Sequence, residues 1–312
     1  MSTWRWLAAP LAAIYGGVVG LRHLLYDEHT LPTYKPHIPT ICVGNLAVGG
    51  TGKTPMVEYL IRLLMQHNYS VGVLSRGYKR KTRGLQIVGD HATAETVGDE
   101  AMQVHRKFPD VLVAVCEDRV KGIKMIEKMP KHPDVILLDD AYQHRAIVCG
   151  LTILLTAYDR LYVHDHLLPW GSLRDLTFRA SKANIIVVTK CPDNFRPIDK
   201  RVVDNSLRPA TFQHMYFSRI EYADTALPGQ PLLLTSIARP EYLIDHVRSL
   251  HPHAEVMTYP DHHWFSSADI RNILQRADRC DCIVTTEKDM QRILCTDLLA
   301  RRSEERRVGK EC

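Results

Sequence analysis

One short run constrains this chain more than any other: Ala47-Val48-Gly49-Gly50-Thr51-Gly52-Lys53-Thr54. An apolar stretch from Ile38 to Val43 precedes it, and a helical pattern from Pro55 to Gln66 follows. Strand, glycine-rich turn, Gly-Lys-Thr and helix read as a phosphate-binding loop. Gly49, Gly50 and Gly52, with Thr51 among them, let backbone N–H groups turn onto phosphate oxygens. The helix N-terminus adds partial positive charge. Lys53 reaches the terminal phosphates, and the Thr54 hydroxyl suits Mg²⁺. Ala47 stands where the pattern usually opens on Gly, and Gly49 and Gly50 supply the freedom instead. The alternative is a glycine-rich turn that holds no nucleotide. The run asks for a nucleoside triphosphate without naming what receives the phosphoryl group.

Val135 to Leu138 is a second apolar strand, and it ends in Asp139-Asp140. In a nucleotide-binding α/β fold such carboxylates lie beside the phosphate loop and hold Mg²⁺ directly or through water. A strand-end turn is the plain alternative. Guanine selectivity calls for Asn-Lys-x-Asp after a late strand. Thr189-Lys190-Cys191-Pro192 occupies a comparable place without that Asp, so ATP is expected rather than GTP.

Further apolar runs, Val71–Leu74, Val111–Val115, Leu151–Leu155 and Ile185–Val188, alternate with helical patterns. Continuous runs of this kind suggest strands buried on both faces. The expected fold is therefore α/β: a P-loop NTPase doubly wound sheet over 31–220. A connector at 219–231 leads to a smaller α/β unit over 221–300, with strands Leu232–Ser236, Glu255–Tyr259 and Cys282–Thr285 and helices Glu241–Leu250 and Ser267–Arg276. The chain has 312 residues, 45% of them hydrophobic, enough for a substantial core. Its 8 cysteines are scattered, and the Cys280-x-Cys282 pair has no mate that would complete a zinc set. They read as reduced thiols packed as small hydrophobes. The formal charge of +5 suits anionic lipid or phosphate substrates. No nucleic-acid partner is expected, and the sequence sets no oligomeric state.

Trp6 to Leu21 carries no charge, with Arg5 before it and Arg22 and His23 after. The run is short for a spanning helix, which needs roughly 20 residues. Trp4 and Trp6 suit the headgroup level. Residues 1–30 are read as a membrane-associated helix, with a buried core helix as the alternative. A signal peptide fits poorly, because a nucleotide site belongs in the cytosol. The highly charged run 301–312 lacks any strand pattern. It is read as a non-native or disordered tail, with a solvated helical tail as the alternative.

Taken in order, GNLAVGGTGKTP (Gly44–Pro55), LSRGYKR (Leu74–Arg80), VGDEA (Val97–Ala101), DDAYQHR (Asp139–Arg145), LLPWGSLRD (Leu167–Asp175), IARP (Ile237–Pro240), PDHHWF (Pro260–Phe265) and TTEKD (Thr285–Asp289) resemble the tetraacyldisaccharide 4′-kinase family. The resemblance covers nearly all of residues 1–300. It implies ATP- and Mg²⁺-dependent phosphorylation of the 4′-hydroxyl of the lipid A precursor tetraacyldisaccharide 1-phosphate, at the cytoplasmic face of the bacterial inner membrane. The chain departs from the family in having Ala141-Tyr142 for Gly-Phe, and Asp175 where a Glu is usual. Trp170 and Ser172 also replace smaller or different residues.

The resemblance implies that Asp99 and His262 act as a pair across an interdomain cleft. Asp99 would accept the sugar hydroxyl proton while His262 orients it. Taken alone, Asp99 also reads as a helix N-cap, and His263 is the alternative member of the pair. Asp175 joins Thr54, Asp139 and Asp140 as an expected metal-side residue. Tyr78 and Arg80 after one strand, and Gln143 and His144 after the Asp pair, are expected to meet substrate. Arg174 offers a planar fork for an anion. Lys288 and Asp289 are expected to touch the nucleotide or bridge the domains. Two other functions compete: a P-loop ATPase or GTPase driving assembly or metal delivery, and a nucleotide sensor at the membrane. Turnover that requires the lipid A precursor separates the kinase from both.

Overall fold

The computed structural model describes residues 8–222 and 227–296. Trp4, Trp6 and the tail 301–312 lie outside them. In chain order the elements are α1 (Ala9–Asp27), β1 (Thr40–Asn45), α2 (Lys53–Gln66), β2 (Val71–Ser75), β3 (Gln86–Ile87), α3 (Ala94–Val97), α4 (Asp99–Lys107), β4 (Leu112–Val115), α5 (Arg119–Glu127) and β5 (Val135–Asp139). They continue with β6 (Leu151–Ala157), β7 (Ile185–Thr189), α6 (Pro197–Leu207), β8 (His214–Phe217), β9 (Pro231–Thr235), α7 (Glu241–Leu250), β10 (Glu255–Thr258), α8 (Ser267–Ala277), β11 (Cys282–Thr285) and α9 (Glu287–Ile293).

The chain divides into two compact units. One comprises Met1–Arg76 and Cys116–Ile220, the other Gly77–Val115 and Glu221–Cys312. This differs from the contiguous division expected from the sequence. Residues 77–115, assigned there to the kinase core, belong with the C-terminal segment. Pairing between α4 and α9, remote in sequence, carries them there: Lys107 Nζ and Gln103 Nε2 donate to Glu287 Oε2 at 2.7 and 3.3 Å.

In the first unit, parallel strands run in the order β2-β5-β1-β6-β7-β8. The apolar runs Ile38–Val43, Val71–Leu74, Val135–Leu138, Leu151–Leu155 and Ile185–Val188 supply β1, β2, β5, β6 and β7, whereas Val111–Val115 is β4 of the second unit; β8 is a short addition that alternates exposed and half-buried residues at its edge. Buried on both faces, β5 reads Val-Ile-Leu-Leu-Asp without alternation. Register places Val43 of β1 opposite Asp139 of β5, so the glycine-rich loop and the Asp pair leave neighbouring strand ends. α2 buries Val57, Leu60 and Ile61 at helical spacing. Beneath the loop, Leu46, Ala47, Tyr142, Leu154, Leu173 and Ile186 share one core. Tyr142 is buried in it and donates its hydroxyl to the Arg179 carbonyl at 2.6 Å.

α1 packs on this unit by one face. Ala12 and His23 are buried, and the Tyr15 hydroxyl donates to the Arg174 carbonyl at 2.8 Å. Its other face carries Leu11, Ile14, Val18, Leu21 and Leu24, each more than half exposed. Among the described residues, no helix is long and apolar enough to cross a membrane.

In the second unit, β3 and β4 pair antiparallel, and a parallel three-stranded sheet has the order β10-β9-β11. Its central strand β9 is wholly buried. One face packs Leu232 and Leu234 against Ile270, Ile273 and Ile293, the other Leu233 against Val247 and Val284. α8 starts on a capping box: Ser266 Oγ accepts from Asp269 N, and Asp269 in turn accepts from Ser266 N.

Gly44 of β1 approaches Tyr142 so closely that an added Cβ would lie 2.7 Å from the Tyr142 Cβ. We expect Gly44→Val to destabilise the protein by roughly 1–3 kcal/mol through overpacking. Thermal unfolding followed by circular dichroism would check this, and an unchanged melting temperature would contradict the packing described.

Candidate active site

In the first unit the loop after β1 holds Gly49, Gly50 and Gly52 at φ of 81°, 53° and 80°, left-handed backbone that only glycine adopts freely. Thr51 is buried. Its hydroxyl accepts from Asn45 Nδ2 at 2.5 Å, and its carbonyl accepts from Thr189 Oγ1 at 3.0 Å. Arg160 Nη2 binds the Val48 and Gly49 carbonyls at 3.1 and 3.4 Å. These bonds engage three carbonyls of the turn. Lys53 and Thr54 form the first turn of α2. Lys53 Nζ lies 3.8 Å from Asp140 Oδ1.

Asp140 follows β5 with φ 50°. Both of its oxygens accept from the Arg174 guanidinium. Burial alone would raise its pKa, but the Arg174 hydrogen bond and the Lys53, Arg174 and Arg119 charges hold it below the ordinary carboxylate range. Arg174 also donates to Asn45 Oδ1 at 2.5 Å. The side chain expected to clamp a ligand anion is therefore already engaged by Asp140 and Asn45. Gln143 Nε2 donates to the Asn45 carbonyl at 2.6 Å. His144 is half-buried, and burial, aided by Arg119, lowers its pKa. Asp139 closes β5 and is buried.

Asp175, expected among the metal-side residues, is engaged through one oxygen with α1. Its Oδ1 lies 2.5 Å from His23 Nε2, with both side chains 1% exposed, and accepts from Leu176 N at 2.8 Å. The Asp175 side chain ends on the α1 histidine. Burial keeps the His23 pKa low despite this hydrogen bond.

The second unit brings Asp99 and His262 together. His262 Nδ1 lies 2.8 Å from Asp99 Oδ2. The pair does not span two units, because the excursion 77–115 carries Asp99 into the unit that holds His262. His262 has φ 55°, and its N–H donates to the Ser236 carbonyl at 3.2 Å. The Tyr78 ring meets it edge-on, centroids 4.9 Å apart. His263 faces away to Asp269 at 3.1 Å. Arg80, expected at substrate, donates instead to the Gly84 and Val115 carbonyls. Tyr78 and Asp99 thus share one unit, while Gln143, His144 and Arg174 share the other.

The residue that sequence reasoning missed is Arg292. It is 1% exposed. Its guanidinium donates to Asp99 Oδ2, Asp289 Oδ1 and, at 2.8 Å, Ser236 Oγ. A signal was present: Lys288 and Arg292 are four apart on one helix, so they share a face. For Asp99, burial opposes ionisation. The His262 hydrogen bond and the Lys288 and Arg292 charges outweigh it, holding the carboxyl below its usual range.

Fold and site define a class, an α/β kinase with a mostly parallel sheet. Comparison narrows it: residues 4–305 match the family described as Tetraacyldisaccharide-1-P 4′-kinase, LpxK, and the chain belongs to that family. It is 41% identical to a tetraacyldisaccharide 4′-kinase of Flavobacterium johnsoniae, covering 96% of this chain and 91% of that one. A second such kinase, from Parabacteroides distasonis, is 42% identical, covering 92% and 84%. Among solved structures, LpxK from Aquifex aeolicus in complex with ATP is similar, with TM-score 0.71, 28% identity and coverage of 93% and 90%.

Asp99 ionises more readily in the folded chain than in the unfolded one. Its stabilising contribution is therefore full above about pH 4 and is lost as pH falls through the folded value. Arg292→Met removes one countercharge from two buried carboxylates. We expect a loss of about 3–5 kcal/mol at neutral pH, shrinking in acid as Asp99 protonates. Urea unfolding of both proteins across the acid range would measure this, and a pH-independent difference would contradict it.

Proposed function

We propose that this chain transfers the γ-phosphoryl group of ATP to the 4′-hydroxyl of tetraacyldisaccharide 1-phosphate, completing one step of lipid A synthesis. The family match across residues 4–305 carries the reading. The 4′-oxygen attacks the γ-phosphorus, the bond to the β,γ-bridging oxygen breaks, ADP leaves, and the hydroxyl proton passes to Asp99. In such transfers bond-making lags, so positioning and charge neutralisation matter more than base strength. An Asp99 held at low pKa is compatible with that demand, and His262 orients it.

The loop 48–54 is the phosphate cradle of this proposal: inward N–H groups and the α2 N-terminus face phosphate oxygens, and Lys53 binds the transferring group. Three left-handed glycines and the Lys53–Asp140 approach support it. Among the described residues, no group of three or more His, Cys, Asp or Glu could hold a metal. Thr54 with Asp139 and Asp140 nevertheless suits Mg²⁺, which is commonly held by one or two carboxylates together with phosphate oxygens and water. Neutralising charge on those phosphate oxygens is what Mg²⁺ supplies when bound. Arg174 and Lys53 keep Asp140 ionised for that role.

α1 is proposed to lie in the plane of the inner membrane's cytosolic surface. Its exposed apolar face supports this.

The direct test is incubation with ATP, Mg²⁺ and tetraacyldisaccharide 1-phosphate, with mass detection of one added phosphate. Lys53→Ala should lower turnover by about 10²–10³-fold in a folded protein. Asp99→Ala and His262→Ala should each lower turnover while ATP affinity holds, and the double variant should be little worse than the poorer single. Independent, multiplying effects would argue against a dyad.

For the membrane reading, Ile14→Ser with Val18→Ser should weaken binding to anionic phospholipid vesicles at least about tenfold, with helix content unchanged. Co-sedimentation measures it, and unchanged binding would remove α1 from the membrane.

A further inference from the structure

His262 has two ring nitrogens, and only one faces Asp99. The other, Nε2, lies 2.9 Å from Lys288 Nζ. That ammonium has three N–H donors and no acceptor. It has three partners, all within the second unit: His262 Nε2, Glu100 Oε1 at 3.2 Å and Asp261 Oδ1 at 3.7 Å. Burial would lower the Lys288 pKa, but Glu100, Asp99 and Asp261 outweigh it and raise it, so the group stays charged.

A donor-only neighbour forces Nε2 to accept. An Nε2 that accepts carries no proton, so the neutral ring's hydrogen sits on Nδ1, directed at Asp99 Oδ2. We infer that Lys288 is a positioning residue that fixes His262 in its neutral Nδ1–H tautomer, so that the ring donates to Asp99. This rests on the phosphoryl-transfer reading, in which Asp99 receives the substrate proton.

The rest of the ring's surroundings leave the proton as the one thing to be set. The left-handed backbone at His262, its N–H bond to Ser236 and the edge of Tyr78 fix the ring's place. Lys79 Nζ reaches the His262 carbonyl at 3.4 Å. Asp99, Glu100 and Arg292 complete the charged groups facing it from α4 and α9. Asp261 Oδ2 lies 3.8 Å from Nε2 and would accept a proton there if Lys288 were absent. Without the ammonium, Nε2–H and doubly protonated forms would compete, and Asp99 would lose a fixed donor.

The experiment uses the full chain with ¹⁵N-labelled histidine and long-range ¹H–¹⁵N correlation of the ring at neutral pH. The His262 signal is assigned by its loss in His262→Gln. In the unsubstituted protein we expect Nε2 bare and Nδ1 protonated. Lys288→Met should add Nε2-protonated population and lower turnover by up to about 10²-fold, with the KM for ATP little changed. Lys288→Arg, also donor-only, should restore the tautomer and most of the turnover. An unsubstituted protein with Nε2–H, or a Lys288→Met protein with the original pattern, would overturn the inference. If Lys288→Met does not fold, the unsubstituted and Lys288→Arg spectra still decide it. The spectra need no substrate, so they judge Lys288 even if Asp99→Ala keeps full turnover and the phosphoryl-transfer reading fails.

Discussion

The second unit depends on a chain of buried charge: Asp99, Arg292 and Asp289. Asp289 is wholly buried, and Arg292 and Asp99 nearly so. Removing such groups from water costs several kcal/mol each, and only complete hydrogen bonding offsets it. Asp289 accepts from Ser236 N–H, Ser236 Oγ and Thr286 Oγ1, joining the end of β9 to the start of α9. Arg292 then joins α9 to Asp99 at the start of α4. The geometry at His262 follows, because Ser236, already held by Asp289, also supplies the carbonyl that seats the histidine. Substituting any member leaves a buried charge with its partners missing.

In the first unit two consecutive residues make a comparable junction. Arg174 binds Asp140 at the end of β5, and Asp175 binds His23 of α1. Arg145 reinforces the second contact through the His23 carbonyl and Asp27. The seating of the N-terminal helix and the environment of Lys53 thus share one dipeptide. One peptide bond separates the residue that binds the Asp140 carboxylate from the residue that holds α1.

Much of this was legible in the sequence because its signals are local. Ile38–Val43 and Val135–Leu138 are unbroken apolar runs, and buried parallel strands require that pattern. Gly49, Gly50 and Gly52 mark a tight phosphate-binding turn, and all three adopt left-handed backbone. The division into units was not legible. Val111–Val115 looks like any other core strand, and its membership is set by α4 meeting a helix some 180 residues later. The His23–Asp175 pair was hidden for the same reason, its partners being 152 positions apart. Arg80 and Arg174 read as ligand cations because composition reveals charge but not its intramolecular partners.

The discontinuity of the second unit has a consequence for biosynthesis. Residues 77–115 leave the ribosome early, while the helix that completes their packing lies at Glu287–Ile293. Domains assemble as units as the chain emerges, so this segment must wait through the synthesis of Cys116–Ile220 and most of the C-terminal segment. Until α9 is made, Asp99 lacks Arg292, and the side of α4 that packs on α9 has no cover. The nascent chain is then a finished parallel sheet carrying an unfinished excursion, the state in which a holdase chaperone or a protease would meet it.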